Sequence, residues 1–239
     1  MQADGNFNGG QILEKKPIPF PHESKGAKPY SNLFYWAHAW SEKGSTIGEH
    51  PHKGFEILSF VLKGDIEHYD SKNRKWMPLS EGGAQIIRSG NGISHAEKIN
   101  AASEIFQIWF DPDLNKTLPQ PATYDDYKSN DFPVSKAGGI TTKTYKGEGA
   151  PIQMVSEGVV IKEISFGSGE HIIPTLKNVI YSIVVLDGNI TINNDPAEKR
   201  TFIIIKEEER LTIKTDGAAR LFVIETPLQL SYKTYADGY

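Results

Sequence analysis

Two short runs of the chain gather residues suited to holding a metal ion: His50-Pro51-His52-Lys53-Gly54-Phe55-Glu56 and Ile93-Ser94-His95-Ala96-Glu97. Within each run the candidate ligands stand two residues apart, and in an extended strand that spacing directs both side chains to one face. Three imidazoles and one carboxylate fill four positions of an octahedral ion and leave two adjacent positions for water, dioxygen or a bidentate substrate. Iron, manganese, nickel and copper suit such a shell, while zinc prefers fewer ligands. Spacing leaves the carboxylate open: Glu56 has the strand parity of His50 and His52, whereas Glu97 follows His95 by two.

The rest of the composition narrows the chemistry. The 239 residues include no cysteine, which excludes thiolate zinc sites, iron–sulfur clusters and thiol nucleophiles and leaves nitrogen and oxygen as the only donors. With 26 basic against 30 acidic residues the net charge is -4, so no basic field is present to hold nucleic acid or an anionic membrane. The first eleven residues are polar and glycine-rich, and the longest apolar runs, such as Val179 to Leu186, are far short of a membrane span. A cytoplasmic protein is expected. His22, His38, His68 and His171 stand alone and read as surface or satisfied core residues, and Glu207-Glu208-Glu209 reads as a solvated turn.

The elements that must position the two runs are strands. Leu33 to Trp40 alternates as an aromatic-rich strand, and Phe55 to Leu62 is apolar on both faces, as in a strand buried between two layers. Lys63-Gly64-Asp65 and Glu81-Gly82-Gly83 mark turns, and further short strands follow at Ile66 to Asp70, Trp76 to Leu79, Ala84 to Ile87 and Glu104 to Phe110. Close, regular spacing of this kind predicts a sandwich or barrel. Ahead of them, prolines at 17, 19, 21 and 29 suggest an extended arm with at most edge-strand character. From Asp111 to about Gly149 apolar periodicity is lost, which predicts a linker with one helical turn near Tyr124 to Lys128. Strands resume from Val159, and the chain ends in a tail bearing Tyr232, Tyr235 and Tyr239.

Internal repetition gives the domain plan. Val61-Leu62-Lys63-Gly64-Asp65-Ile66 recurs as Val185-Leu186-Asp187-Gly188-Asn189-Ile190, and Ile105-Phe106-Gln107-Ile108 recurs as Leu221-Phe222-Val223-Ile224. Carried through, the first match sets Pro174, Leu176 and Ile180 opposite His50, His52 and Glu56. The second sets roughly Thr212 and Lys214 opposite His95 and Glu97. The second half then repeats the fold without the ligands. The expected domains are a metal-binding unit at 1–120, a linker at 121–149 and a degenerate unit at 150–239.

These motifs resemble the pirin family, bicupins of the cupin superfamily. The resemblance rests on the two ligand runs, on Gly90-Asn91-Gly92 before the second, and on Phe106-Gln107-Ile108-Trp109 leading into a proline-rich stretch; it is specific across about residues 48 to 121. It implies an all-β fold of two cupin (double-stranded β-helix, jelly-roll) barrels with metal in the first alone. It also implies Fe(II) held by His50, His52, His95 and Glu97, with Mn, Ni, Cu or Zn as substitutes. Many metal-binding double-stranded β-helix proteins instead follow the ligand order His50, His52, Glu56, His95. The activity implied is that of a quercetin 2,3-dioxygenase, taking dioxygen and a small aromatic or flavonol-like substrate, with Glu97, or else Glu56, accepting the substrate's hydroxyl proton. The alternative is a transcriptional co-regulator with a protein partner that responds to the oxidation state of iron; a cupin isomerase or sugar-binding protein ranks below both. Lys53 replaces the family's usual arginine and cannot make its bidentate contact. The segment before His50 is shorter than is common in pirins and the second domain is compact.

Overall fold

A computed structural model describes residues 4–238. Tyr239, the last of the tail tyrosines, and the first three residues of the expected polar start lie outside them. The chain divides into two compact units, Met1–Asp131 with Met154–Ser156 and Ser231–Tyr239, and Phe132–Gln153 with Glu157–Leu230. Every strand pair among the described residues is antiparallel, in keeping with the expected all-β class.

The first unit is built from two sheets. The larger runs in the order Gly5–Phe7, Ile12–Ile18, Leu33–Ser41, Ser103–Phe110, Glu56–Lys63, Ala84–Arg88, Thr123–Tyr127; the smaller in the order Ser45–His52, Ile93–Ile99, Asp65–Asp70, Trp76–Ser80. Ile12, Ala39, Val61 and Ile105 from the larger sheet pack with Ile66, Leu79 and Ile99 from the smaller into one buried cluster. Each of the isoleucine, leucine and valine side chains contributes about 1.5–3 kcal/mol on leaving water. The second unit repeats this plan with a six-stranded sheet centred on Val160–Phe166, Ala219–Pro227 and Val179–Asp187. Its four-stranded sheet is Gly169–Pro174, Arg210–Thr215, Ile190–Ile192 and Asp195–Ala197.

Several sequence expectations change. The span 121–149 is not a bare linker: Thr123–Tyr127, Val134–Ala137 and Ile140–Lys146 are all strands. Tyr124 to Lys128 forms no helical turn, because Thr123–Tyr127 adds to the sheet beside Ala84–Arg88, with Tyr124 opposite Ile87. An α-helical turn lies earlier, at Leu114–Thr117, where the Asp113 carboxylate accepts the Asn115 N–H at 3.1 Å and caps it. The proline-rich arm is more than an edge: Ile12–Ile18 pairs with Leu33–Ser41 across a register shift that accommodates Pro17, and Ile12 and Ile18 are wholly buried.

The duplication holds, and pairing refines its register. Val61 opposite Ile105 corresponds to Val185 opposite Leu221, and Ile66 opposite Ile99 to Ile190 opposite Thr215. By the same pairing Leu211 and Ile213 stand for His95 and Glu97, rather than Thr212 and Lys214. Ile173, opposite Leu211, stands for His50, rather than Pro174; the Leu176 counterpart of His52 moves by one as well, to Thr175. A one-residue shift in a strand exchanges inner for outer faces, so the counterparts of His95 and Glu97 are the buried apolar Leu211 and Ile213 rather than polar residues.

Candidate metal centre

The Ser45–His52 strand pairs with Ile93–Ile99 so that His50 lies opposite His95, after a register shift between Ile47 and His50. That shift turns His50 and His52 onto the face that carries His95. The His95 Nε2 atom lies 2.9 Å from His52 Nε2 and 3.1 Å from His50 Nε2, and the donor atoms of all three lie within 4.8 Å of one another. His50 donates its Nδ1–H to the Gly48 carbonyl at 2.8 Å, which leaves its Nε2 as a lone pair aimed at the cluster.

Burial disfavours the charged form of two of the three rings. His95 is fully buried, and desolvation followed by the nearby His50 and His68 pushes its imidazole down to about 3. His52 is pushed down to about 3 by the same loss of water and by His95 and His50. Neutral rings with converging lone pairs repel one another, and a proton can bridge only one pair. Donors bound about 2.0–2.1 Å from an ion stand about 3.0 Å apart at adjacent octahedral corners and about 3.4 Å apart at tetrahedral ones. The spacings of 2.9 and 3.1 Å fit a transition metal bound by adjacent corners of an octahedron.

Glu97 is fully buried on the same strand face as His95 and is held from two sides. Ser59 donates its hydroxyl to Oε1 at 2.7 Å, and Gln107 donates its amide Nε2 to Oε2. Trp109 Nε1–H in turn donates to Gln107 Oε1 at 3.3 Å, and the indole ring meets His52 edge-on at 4.7 Å. Glu56 does not join the cluster. Its carboxylate accepts the Val155 N–H at 2.6 Å, the Ser156 N–H at 2.9 Å and the Ser156 hydroxyl at 2.6 Å. The parity argument fails because Gly54, at φ +86, breaks the strand between His52 and Glu56, and the chain passes there from one sheet to the other.

Sequence reasoning passed over His68 and Asp70. His68 sits opposite Glu97 and Asp70 opposite His95 on the neighbouring strand. The His68 ring is buried 5.6 Å from that of His95, with Asp70 Oδ2 at 3.6 Å from its Nε2. The signal was their own two-residue spacing in a strand leaving a glycine turn. The other lone histidines keep structural surroundings: His22 stacks on Phe20, His38 pairs with Glu104 at 3.0 Å, and His171 bonds the Gly167 carbonyl. Lys53 is exposed. No helix among the described residues is long and apolar enough to cross a membrane.

Comparison with known proteins places this geometry. A pirin family model matches residues 19–110, the span that contains all three clustered histidines and Glu97. The quercetin 2,3-dioxygenase of Escherichia coli K12 is 28% identical over 195 residues, covering 78% of each chain. A pirin-like protein of Caulobacter vibrioides is 23% identical over 188 residues, covering 74% of this chain and 67% of its own length. The structure of the bacterial pirin YhhW from Escherichia coli in complex with nickel(II) superposes with a TM-score of 0.74 at 22% identity, covering 93% of this chain and 95% of that one. With the sequence motifs, the paired sheets and these likenesses in agreement, residues 19–110 match the pirin family and the chain as a whole has the bicupin fold.

Proposed function

We propose that this protein is an iron-dependent dioxygenase of flavonol-like substrates, with His50, His52, His95 and Glu97 as its metal ligands. The observation that carries the reading is the convergence of the imidazole Nε2 atoms at 2.9 and 3.1 Å beside a buried carboxylate on the same strand face. The names of the relatives point to the same chemistry, and the YhhW complex supports a divalent transition metal in a fold of this kind. A bound iron would supply a Lewis acid for a phenolic hydroxyl and an electron route to dioxygen.

The protein's own groups prepare that chemistry. His52 and His95 are held neutral by burial, so no proton has to leave them before they can act as ligands. Ser59 and Gln107 fix the carboxylate of Glu97, which is thereby placed to receive the substrate's hydroxyl proton as well as to complete the ligand set. The edge of Trp109 against His52 and the neighbouring rings of Phe34 and Phe55 give the site an aromatic flank suited to a planar substrate. Glu56 has no part in this scheme.

Elemental analysis of the purified protein should return about one transition-metal ion per chain, falling to near zero in His52→Ala. Oxygen uptake on mixing iron-loaded protein with a flavonol panel tests the activity. An absence of turnover across the panel by fully loaded protein would sink the dioxygenase reading, and full metal retention by His52→Ala would sink the ligand assignment.

A further inference from the structure

The second unit carries a cavity where its sister unit carries the metal cluster. The cavity has a volume of about 230 Å³. Its walls include Ile173, Leu211 and Ile213, which the strand pairing sets in the places of His50, His95 and Glu97. Ile183 and Val223 also line it, and these replace Ser59 and Gln107, the two residues that hold the Glu97 carboxylate. The counterparts of His50, His95, Glu97, Ser59 and Gln107 have therefore all become aliphatic, yet the space has not been filled. Protein interiors rarely leave voids larger than a water molecule, and apolar cavities of about 150 Å³ take up benzene.

Polar groups gather at one end. Lys162 Nζ bonds Glu225 Oε1 at 2.7 Å, and both residues line the cavity beside Tyr181 and Leu176. The Tyr181 hydroxyl accepts the Leu176 N–H at 2.9 Å and has no acceptor for its own proton among the described residues. Leu176 is 60% exposed, which marks the side on which solvent and ligands reach the cavity. The lysine and glutamate cancel in charge, so this end favours a neutral acceptor over an anion.

We propose that the second barrel is a metal-independent binding site for a small neutral amphiphile of the phenol or alcohol class. Its ring or branched chain lies among Ile173, Ile183, Leu211, Ile213 and Val223, and its oxygen accepts the Tyr181 hydroxyl proton beside the Lys162–Glu225 pair. The site is separate from the histidine cluster and stands or falls independently of the dioxygenase reading.

The test uses the full-length chain labelled at isoleucine, leucine and valine methyls and titrated with 4-ethylphenol, with and without EDTA. Saturable shifts are expected at Ile173, Ile183, Leu211 and Ile213, unchanged by EDTA, with a dissociation constant of about 0.1–1 mM. Tyr181→Phe should weaken binding about five- to tenfold, Val223→Trp should abolish it by filling the space, and benzoate should bind more weakly than the phenol. Absence of saturable shifts up to about 10 mM overturns the proposal. Shifts confined to Ile57, Ile87 and Ile93 of the first unit also overturn it, as does unaltered affinity in Tyr181→Phe. If Val223→Trp does not fold, the conservative Tyr181→Phe variant still decides.

Discussion

The two barrels share a strand plan and a pairing register, and differ at the residues aimed between their sheets. In the first, His50, His95, Glu97, Ser59 and Gln107 form a polar shell; in the second the same places hold Ile173, Leu211, Ile213, Ile183 and Val223. The fold therefore does not depend on either set. Buried polar groups are costly without partners, and in the first barrel Glu97 is satisfied by Ser59 and Gln107 while the imidazole Nε2 atoms face one another. The second has exchanged that mutual dependence for ordinary apolar burial.

The most decisive way to test the comparison is to write the second barrel's residue into the first. His95→Leu should take metal content from about one ion per chain to near zero while leaving the far-ultraviolet circular dichroism spectrum unchanged; loss of fold instead would show that the cluster is structural. The reverse change, Leu211→His, places an imidazole in a wall without acceptors and should lower unfolding free energy by about 2–4 kcal/mol in a denaturant titration. Gln107→Leu, again the second barrel's type of residue, removes one of the two donors that fix Glu97, and should weaken metal binding about 10- to 100-fold in a competition assay. Unchanged affinity would separate Glu97 from the metal.

Smaller effects are expected away from the shell. Glu56→Gln keeps an acceptor but weakens three charge-assisted bonds to Val155 and Ser156; a loss of about 1–2 kcal/mol in stability with full metal retention is expected. A loss of metal would return Glu56 to the site. The smallest effect concerns Asp111, just past the Ser103–Phe110 strand, where the second unit continues with Pro227. Burial raises the Asp111 carboxyl above its ordinary range, against the hydrogen bonds from the Tyr235 and Ala236 N–H groups. The folded state thus holds this proton to higher pH than the unfolded state does, so the associated stability is complete below the ordinary carboxylate range and is lost as pH rises through the folded value. Asp111→Asn, which still accepts the Ala236 N–H, should match the parent near pH 3 and exceed it at pH 7 by about 2 °C in Tm; coincident melting at both pH values would remove Asp111 as a source of pH dependence.

The candidate site residues were legible because their signal is local. His50 and His52, and His95 and Glu97, declare a common face by a spacing of two, and the hairpin repeats declare a duplicated fold. What failed to show in the sequence depends on partners distant along the chain. Thr123–Tyr127 has no apolar rhythm of its own and becomes a strand only by bonding to Ala84–Arg88. His68 looked solitary until the strand pairing set it across from Glu97. The repeats announced that the second unit lacks ligands, but only pairing fixed which residues replace them, since one step of register exchanges Leu211 and Ile213 for Thr212 and Lys214.

By itself, then, the sequence determined the candidate ligands, the all-β class and the two-barrel plan, all of which are written in near-neighbour periodicity. Tertiary structure decided which carboxylate lies beside the histidines. Gly54 turns the chain between His52 and Glu56, the two sheets part there, and Glu56 is bonded to Val155 and Ser156 while Glu97 is held inside by Ser59 and Gln107. Side-chain alternation is a property of one unbroken strand, and it carries no information past the residue where that strand ends.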